Sequence, residues 1–170
     1  MTKYTTDELK SILKKGDVIL THGSSWISRM IQKVTQSHWN HVVIYDEDGY
    51  VIESNWGGVV RSHVYNYYAG KDIMILRHKT ASKTKLRYVV ESAKYFIGRE
   101  YDYFQIIELL WLYLTGRRGN SRQISSKNKF ICSELVGRAF HDNDLPVIAK
   151  YKYTELSPGD WPNSKNFVKI

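Results

Sequence analysis

The chain carries a single cysteine and three prolines in 170 residues, and no apolar run of the length a membrane span requires. One cysteine excludes an internal disulfide framework and any Cys-rich zinc site. No apolar stretch reaches the ~18–20 residues that cross a bilayer, so no transmembrane helix is expected. No Pro/Gly/Ser-rich linker and no internal repeat interrupts the pattern, and residues 1–170 are expected to form one domain. The opening MTKYTTDELKSILKKGD lacks an apolar h-region and an A-x-A-like site, which makes a cytoplasmic location the expectation. Acidic residues are scarce, 17 against 25 basic ones, for a net charge of +8. That imbalance favours an anionic partner: nucleic acid, a membrane surface or an acidic substrate. No zinc finger, helix-turn-helix or RNP-type signature is present, so nucleic acid is not expected. A hydrophobic content of 42% with 14% aromatics excludes a wholly disordered chain.

What is present divides by period. Thr5-x-x-Glu8 reads as a capping box, followed by a helical stripe of Leu9, Ile12 and Leu13 that ends near Gly16. Asp17–Thr21 is a short apolar run with strand character. Ser24 or Ser25 can cap a helix with Trp26, Ile27, Met30, Ile31 and Val34 on one face. The period then falls to two. His41–Tyr45 and Tyr50–Ser54 flank the turn Asp46-Glu47-Asp48-Gly49, a hairpin signal. Val59 onward and Ile73–Leu76 read as two more strands. Helical spacing returns at Leu86, Val89, Val90, Ala93, Phe96 and Ile97, closed by Gly98. Asp102 with Gln105 opens a helix over Phe104–Leu114, a polar loop with five basic residues and no acid runs from Gly116 to Lys129, and Cys132–Phe140 forms a last helix. The layout is α+β, a central antiparallel sheet flanked by helices.

The lone cysteine has a context that bears on its chemistry. In FICSELVGRAF, Cys132 falls at a helix start, where free N–H groups and the positive end of the helix dipole favour thiolate over thiol. Taken alone, a single Cys is more often a small buried hydrophobe. His41 in WNHVVIY is the candidate base. A hairpin with an odd-numbered loop that pairs His41 directly with Glu53 puts both on one face. A slip of one residue pairs His41 with Ser54 and turns Glu53 to the other face. Paired, Glu53 would orient the imidazole and His41 would activate Cys132. His38-x-x-His41 has the look of a metal pair, but on a strand or loop that spacing does not converge as it does on a helix, and no metal site is expected.

Five blocks in order carry a resemblance: Gly16-Asp17-x-Ile19-Leu20, His41-Val42-x-Ile44-Tyr45, Val51-Ile52-Glu53, Gly98-x-x-Tyr101-Asp102, and Phe130-x-Cys132-Ser133-Glu134-Leu135-Val136. Together they resemble the circularly permuted branch of the NlpC-type papain-like cysteine hydrolases, the YiiX-like proteins. In ordinary members the Cys helix precedes the His strand; here His41 precedes Cys132, as in the permuted branch. Ile131 stands where ordinary members often carry Asp. The resemblance implies a papain-like fold with Cys132 as nucleophile, His41 as base and Glu53 as the orienting third residue. It places Tyr101 near the substrate, and it implies acyl transfer through a thioester with no metal or cofactor.

The resemblance also bounds the substrate. Family members cleave cell-wall amides, and related permuted members handle acyl lipids, so a peptide amide or an acyl-lipid bond is expected. Two features lean towards lipid: the apolar stretch FQIIELLWLYL, and the basic loop after it, in which Arg117, Arg118 and Arg122 would contact an anionic membrane. A core helix followed by a solvated loop accounts for the same residues. The alternative function is a lipid- or peptide-binding module on the same fold, without turnover.

Overall fold

The computed structural model describes residues 2–117 and 129–170. In chain order the elements are β1 (Thr2–Lys3), α1 (Thr6–Ile12), β2 (Val18–Thr21), α2 (Trp26–Thr35), β3 (His41–Tyr45), β4 (Tyr50–Asn55), β5 (Gly58–His63), α3 (Val64–Tyr68), β6 (Asp72–His78), α4 (Lys83–Lys94), β7 (Glu100–Tyr101), α5 (Tyr103–Thr115), β8 (Lys129–Phe130), α6 (Cys132–His141) and β9 (Phe167–Lys169). Short 3₁₀ turns fall at Tyr153–Glu155 and Pro158–Asn163.

Seven strands form one antiparallel sheet in the order β1-β6-β2-β3-β4-β5, with β9 also on β6. The meander β2 to β5 is what the period-two runs predict. β6 lies beside β2 rather than following β5, with Val18 opposite Leu76. Alternation divides the core in two. Val18, Leu20, Val42, Ile44 and Ile52 face α4 and α6, where Val90, Leu135 and Phe140 complete the larger cluster. Ile19, Val43, Val51 and Ile75 face Leu9 and Leu13 of the first helical segment and Tyr68 of α3.

The Gly16-Asp17 pair is structural. Gly16 has φ +87°, and Leu86 lies where a Cβ would point. Asp17 is buried and accepts from Arg77 Nε at 2.8 Å, Arg77 Nη2 at 2.7 Å and the Lys14 N–H at 2.8 Å. This bidentate pair ties the start of β2 to β6.

The hairpin register differs from the direct His41–Glu53 pairing. Ile44 pairs with Ile52 and Tyr45 with Val51, which puts Glu53 level with Val43. The loop is odd-numbered as expected, but it sits one residue further along each strand. The Asp46 N–H donates to the Tyr50 carbonyl at 2.9 Å, and the left-handed turn falls on Asp48 and Gly49. Asp46 is no free turn residue. Its buried carboxylate lies 2.8 Å from Lys94 Nζ, 3.1 Å from Arg61 Nη2 and 3.4 Å from Lys15 Nζ. Since β-strand faces repeat every two residues, the shift keeps His41 and Glu53 on one face as diagonal neighbours.

Candidate functional site

His41 opens β3 and Cys132 opens α6, and α6 packs across β3 and β4. The two residues line the same cleft, a cavity of about 230 Å³. His41 Nε2 donates to Glu53 Oε2 at 2.8 Å, and Cys132 shares the cleft with the imidazole, close enough to act on its charge. Burial works against a charged imidazole. The charge and hydrogen bond of Cys132, and those of Glu53, outweigh it and hold His41 up at about 10.

Glu53 is buried on β4. Burial alone would push its carboxyl up. Hydrogen bonds from His41, Ser62 and Tyr68, with the His41 charge, bring it down to about 2. The Tyr68 hydroxyl donates to the same Oε2 at 2.9 Å. Ser62 sits opposite Val51 on β5 and so shares the Glu53 face. In sequence Tyr68 belongs to an aromatic cluster with no motif attached. Its role depends on α3, a five-residue helix that swings it under β4.

Cys132 is buried and unbridged. Ile131 caps α6 with no side-chain hydrogen bond, and the first helical bond runs from the Leu135 N–H to the Ile131 carbonyl at 3.0 Å. The N–H groups of the first turn therefore have no side-chain cap, and they lie at the positive end of the helix dipole.

Tyr101 lines the cleft with Cys132 and leans on Trp56, ring centroids 5.5 Å apart. Two backbone bonds fix that pairing: the Val59 N–H donates to the Arg99 carbonyl at 2.8 Å, and the Gly98 N–H to the Val59 carbonyl at 2.9 Å. Trp56, at the β4–β5 turn, carries no sequence signal beyond the adjacent Gly57-Gly58. Asn40 is a second residue that the sequence does not single out. Its Oδ1 accepts from the Gly23 N–H at 2.6 Å and its Nδ2 donates to Ser28 Oγ at 2.8 Å, which joins the β2–α2 loop and α2 to the residue before His41.

His38 and His41 diverge. His38 Nε2 meets Asp72 Oδ2 at 2.5 Å and its ring stacks on His22 at 4.2 Å, whereas His41 bonds Glu53. Arg117 is exposed just past α5, while Arg118 and Arg122 lie outside the described residues.

A model of the family described as permuted papain-like amidase enzymes, YaeF/YiiX, C92 family, matches residues 12–160. Among solved structures, the chain is similar to the crystal structure of the metalloprotein YiiX from Escherichia coli O157:H7. The two share 17% identity at a TM-score of 0.68, over 92% of this chain and 96% of that one. No curated protein matches the chain.

Proposed function

Because the chain belongs to the permuted papain-like amidases of the YaeF/YiiX, C92 family, we propose that Cys132, His41 and Glu53 are its catalytic triad and that it transfers an acyl group through a thioester on Cys132. The observation that carries this reading is the imidazole of His41, bonded to buried Glu53 on one nitrogen and lining one cleft with Cys132 at the uncapped start of α6.

The Cys132 thiolate attacks the substrate carbonyl carbon, and the carbonyl electron pair moves onto oxygen. The Cys132 N–H, at the helix start, stabilises that oxyanion. The oxyanion collapses, the bond to the leaving nitrogen or oxygen breaks, and protonated His41 gives its proton to that atom. Water or another hydroxyl or amine then attacks the thioester while His41 takes its proton. The C–S bond breaks and the thiolate returns. Glu53 holds the tautomer and stabilises the imidazolium, and Tyr101 flanks the acyl portion.

The cleft lining also bears on the substrate. Beside His41 and Cys132 it offers the hydroxyls of Thr21, Ser25 and Ser28, the amides of Asn40 and Asn55, and the Trp56–Tyr101 rings. Among the described residues no carboxylate, Lys or Arg lines it, which suits an uncharged acyl portion in an amide or an acyl-lipid ester or thioester. YiiX of E. coli is described as a metalloprotein. In this chain no three His, Cys, Asp or Glu side chains among the described residues are grouped to hold a metal, so the residues do not fit one and no step runs through it.

The test is the alkylation rate of Cys132 against pH in the native chain and in His41→Ala. A plateau beginning well below pH 8 and lost in the variant is expected. A plain thiol titration unchanged by the substitution would overturn the triad and leave a binding module on the same fold.

A further inference from the structure

α5 is thirteen residues long, too short to span a bilayer, which takes about 20. Its inner face packs on the body of the protein. Leu109 and Leu110 pack with Met30, Ile31 and Val34 of α2, and the Tyr113 hydroxyl donates to Asp160 Oδ2 at 2.9 Å. Its outer face is exposed. Ile107 (64% exposed), Trp111 (59%) and Leu114 (71%) sit at i, i+4 and i+7, one continuous apolar stripe in solvent. α2 lies alongside. Its own outer positions are Trp26, 73% exposed, with Arg29 and Lys33 one and two turns on. Arg117 is exposed just past the end of α5. Glu108 is the one acid in the two helices, and it is only half-exposed.

Large apolar side chains at the level of a cationic fringe are the composition of a surface that lies in a bilayer interface. A second copy of the chain suits it less well. A twofold contact would gather two sets of Arg29, Lys33 and Arg117 in one interface with only Glu108 of each helix pair to offset them. The sequence after α5 strengthens the sign: residues 116–129 hold five basic residues and no acid. The same two helices also wall the Cys132 cleft. Ser28 and Ile31 line its mouth, and Ile31, Leu109 and Leu110 line an apolar slot beside Cys132.

We propose that the joined outer faces of α2 and α5 dock this chain on the surface of an anionic phospholipid bilayer, with the stripe Ile107–Trp111–Leu114 and Trp26 in the interface and Arg29, Lys33 and Arg117 at the headgroups. The cleft then opens beside the lipid, where an acyl-lipid substrate resides. Docking itself does not depend on turnover at Cys132, so vesicle binding and Cys132 alkylation succeed or fail separately.

The experiment is co-sedimentation of the full chain with vesicles of phosphatidylcholine containing phosphatidylglycerol, with pure phosphatidylcholine vesicles as the control. Binding to the anionic vesicles at low salt is expected, with about tenfold loss at about 0.5 M salt, where the Debye length falls below ~5 Å. Arg29→Glu and Lys33→Glu should each weaken it about fivefold or more, since one basic residue near such a surface contributes about 1 kcal/mol. Trp111→Glu with Leu114→Glu should abolish it. All four positions are exposed, so the thermal midpoint and the Cys132 alkylation rate should hold. Quenching of native tryptophan emission by brominated lipid reads the same insertion without any substitution. Absence of native-chain binding at low salt, variants that bind as the native chain does, or a dimer dissociated by the stripe variants would each overturn the proposal.

Discussion

His41 and Glu53 meet on the diagonal across β3 and β4: the residue level with Glu53 is Val43, yet His41 Nε2 reaches Glu53 Oε2 at 2.8 Å. A diagonal partner is reached along the strand, so the His41 side chain leans from the start of β3 towards the level of Val43 as it crosses to β4. Glu53 in turn is held from below by Tyr68.

Glu53→Gln should therefore cost more than a hydrogen bond. The amide oxygen can still accept from Nε2–H, but the amide NH2 can equally donate to Nε2 and hold the wrong tautomer, and an uncharged group cannot stabilise the imidazolium. Turnover should fall by about 10²–10⁴ with little change in KM, measured on any amide or ester the native chain hydrolyses. Retention of full activity would remove Glu53 from the triad.

Tyr68→Phe removes one donor from a buried carboxylate while keeping the ring in place. The Glu53 carboxyl should rise, and the acid limb of the pH–rate profile should move to higher pH. The alkaline limb should stay put. Stability should drop by about 1 kcal/mol. A merely structural Tyr68 would lower stability without moving the acid limb.

The pair also sets a pH window for folding. The native fold holds His41 up at about 10 against an ordinary 6.5. Its stabilisation is complete below 6.5 and is lost as pH rises towards 10. It holds Glu53 at about 2 against 4.5. That stabilisation is complete above 4.5 and is lost as pH falls towards 2. The contribution of the pair is thus full between 4.5 and 6.5. Urea midpoints measured across pH should show both flanks flattened in the double variant His41→Ala, Glu53→Gln. In Cys132→Ser the His41 ring, followed by NMR, should titrate at lower pH than in the native chain. An unchanged titration would mean that thiol and imidazole do not interact.

Asp17→Asn tests a different link. Removing one partner of a buried, bidentate ion pair strands the other, at a cost of roughly 3–5 kcal/mol. The urea midpoint should fall accordingly, whereas the Cys132 alkylation profile should keep its shape at temperatures where the variant is folded. A changed profile would place Asp17 in the site's machinery, although it lines no part of the cleft.

Local pattern made much of this legible. The two-residue period of HVVIY and YVIESN, the Asp-Gly turn and the position of Cys132 at a helix start lead to the right strands, the right faces and the right helix. The strand pattern leaves open whether His41 faces Glu53 or Ser54, and the pairing with Glu53 comes from the family resemblance; it survives here because a register shift of two keeps both side chains on one face. That register depends on Asp46, whose three cationic partners come from the β2 approach, β5 and α4. No local window contains them. Tyr68, Trp56 and Asn40 escaped for the same reason. Each matters through a partner on another element, and tyrosine, tryptophan and asparagine carry no spacing signal of their own. The spacing of Leu86 to Ile97 predicts a helix up to Gly98, but α4 ends at Lys94, and Ile97 is exposed just before the Gly98 bond to β5.

β7 and β8 form a separate two-residue parallel ladder, Glu100 with Lys129 and Tyr101 with Phe130. This narrow staple ends a single residue before the N-cap of the Cys132 helix. α5 begins just past that staple and sets Leu109 and Leu110 beside Cys132 while its outer stripe faces solvent, so one short helix ties the surface that the chain presents to its surroundings to the wall of the site that holds the nucleophile.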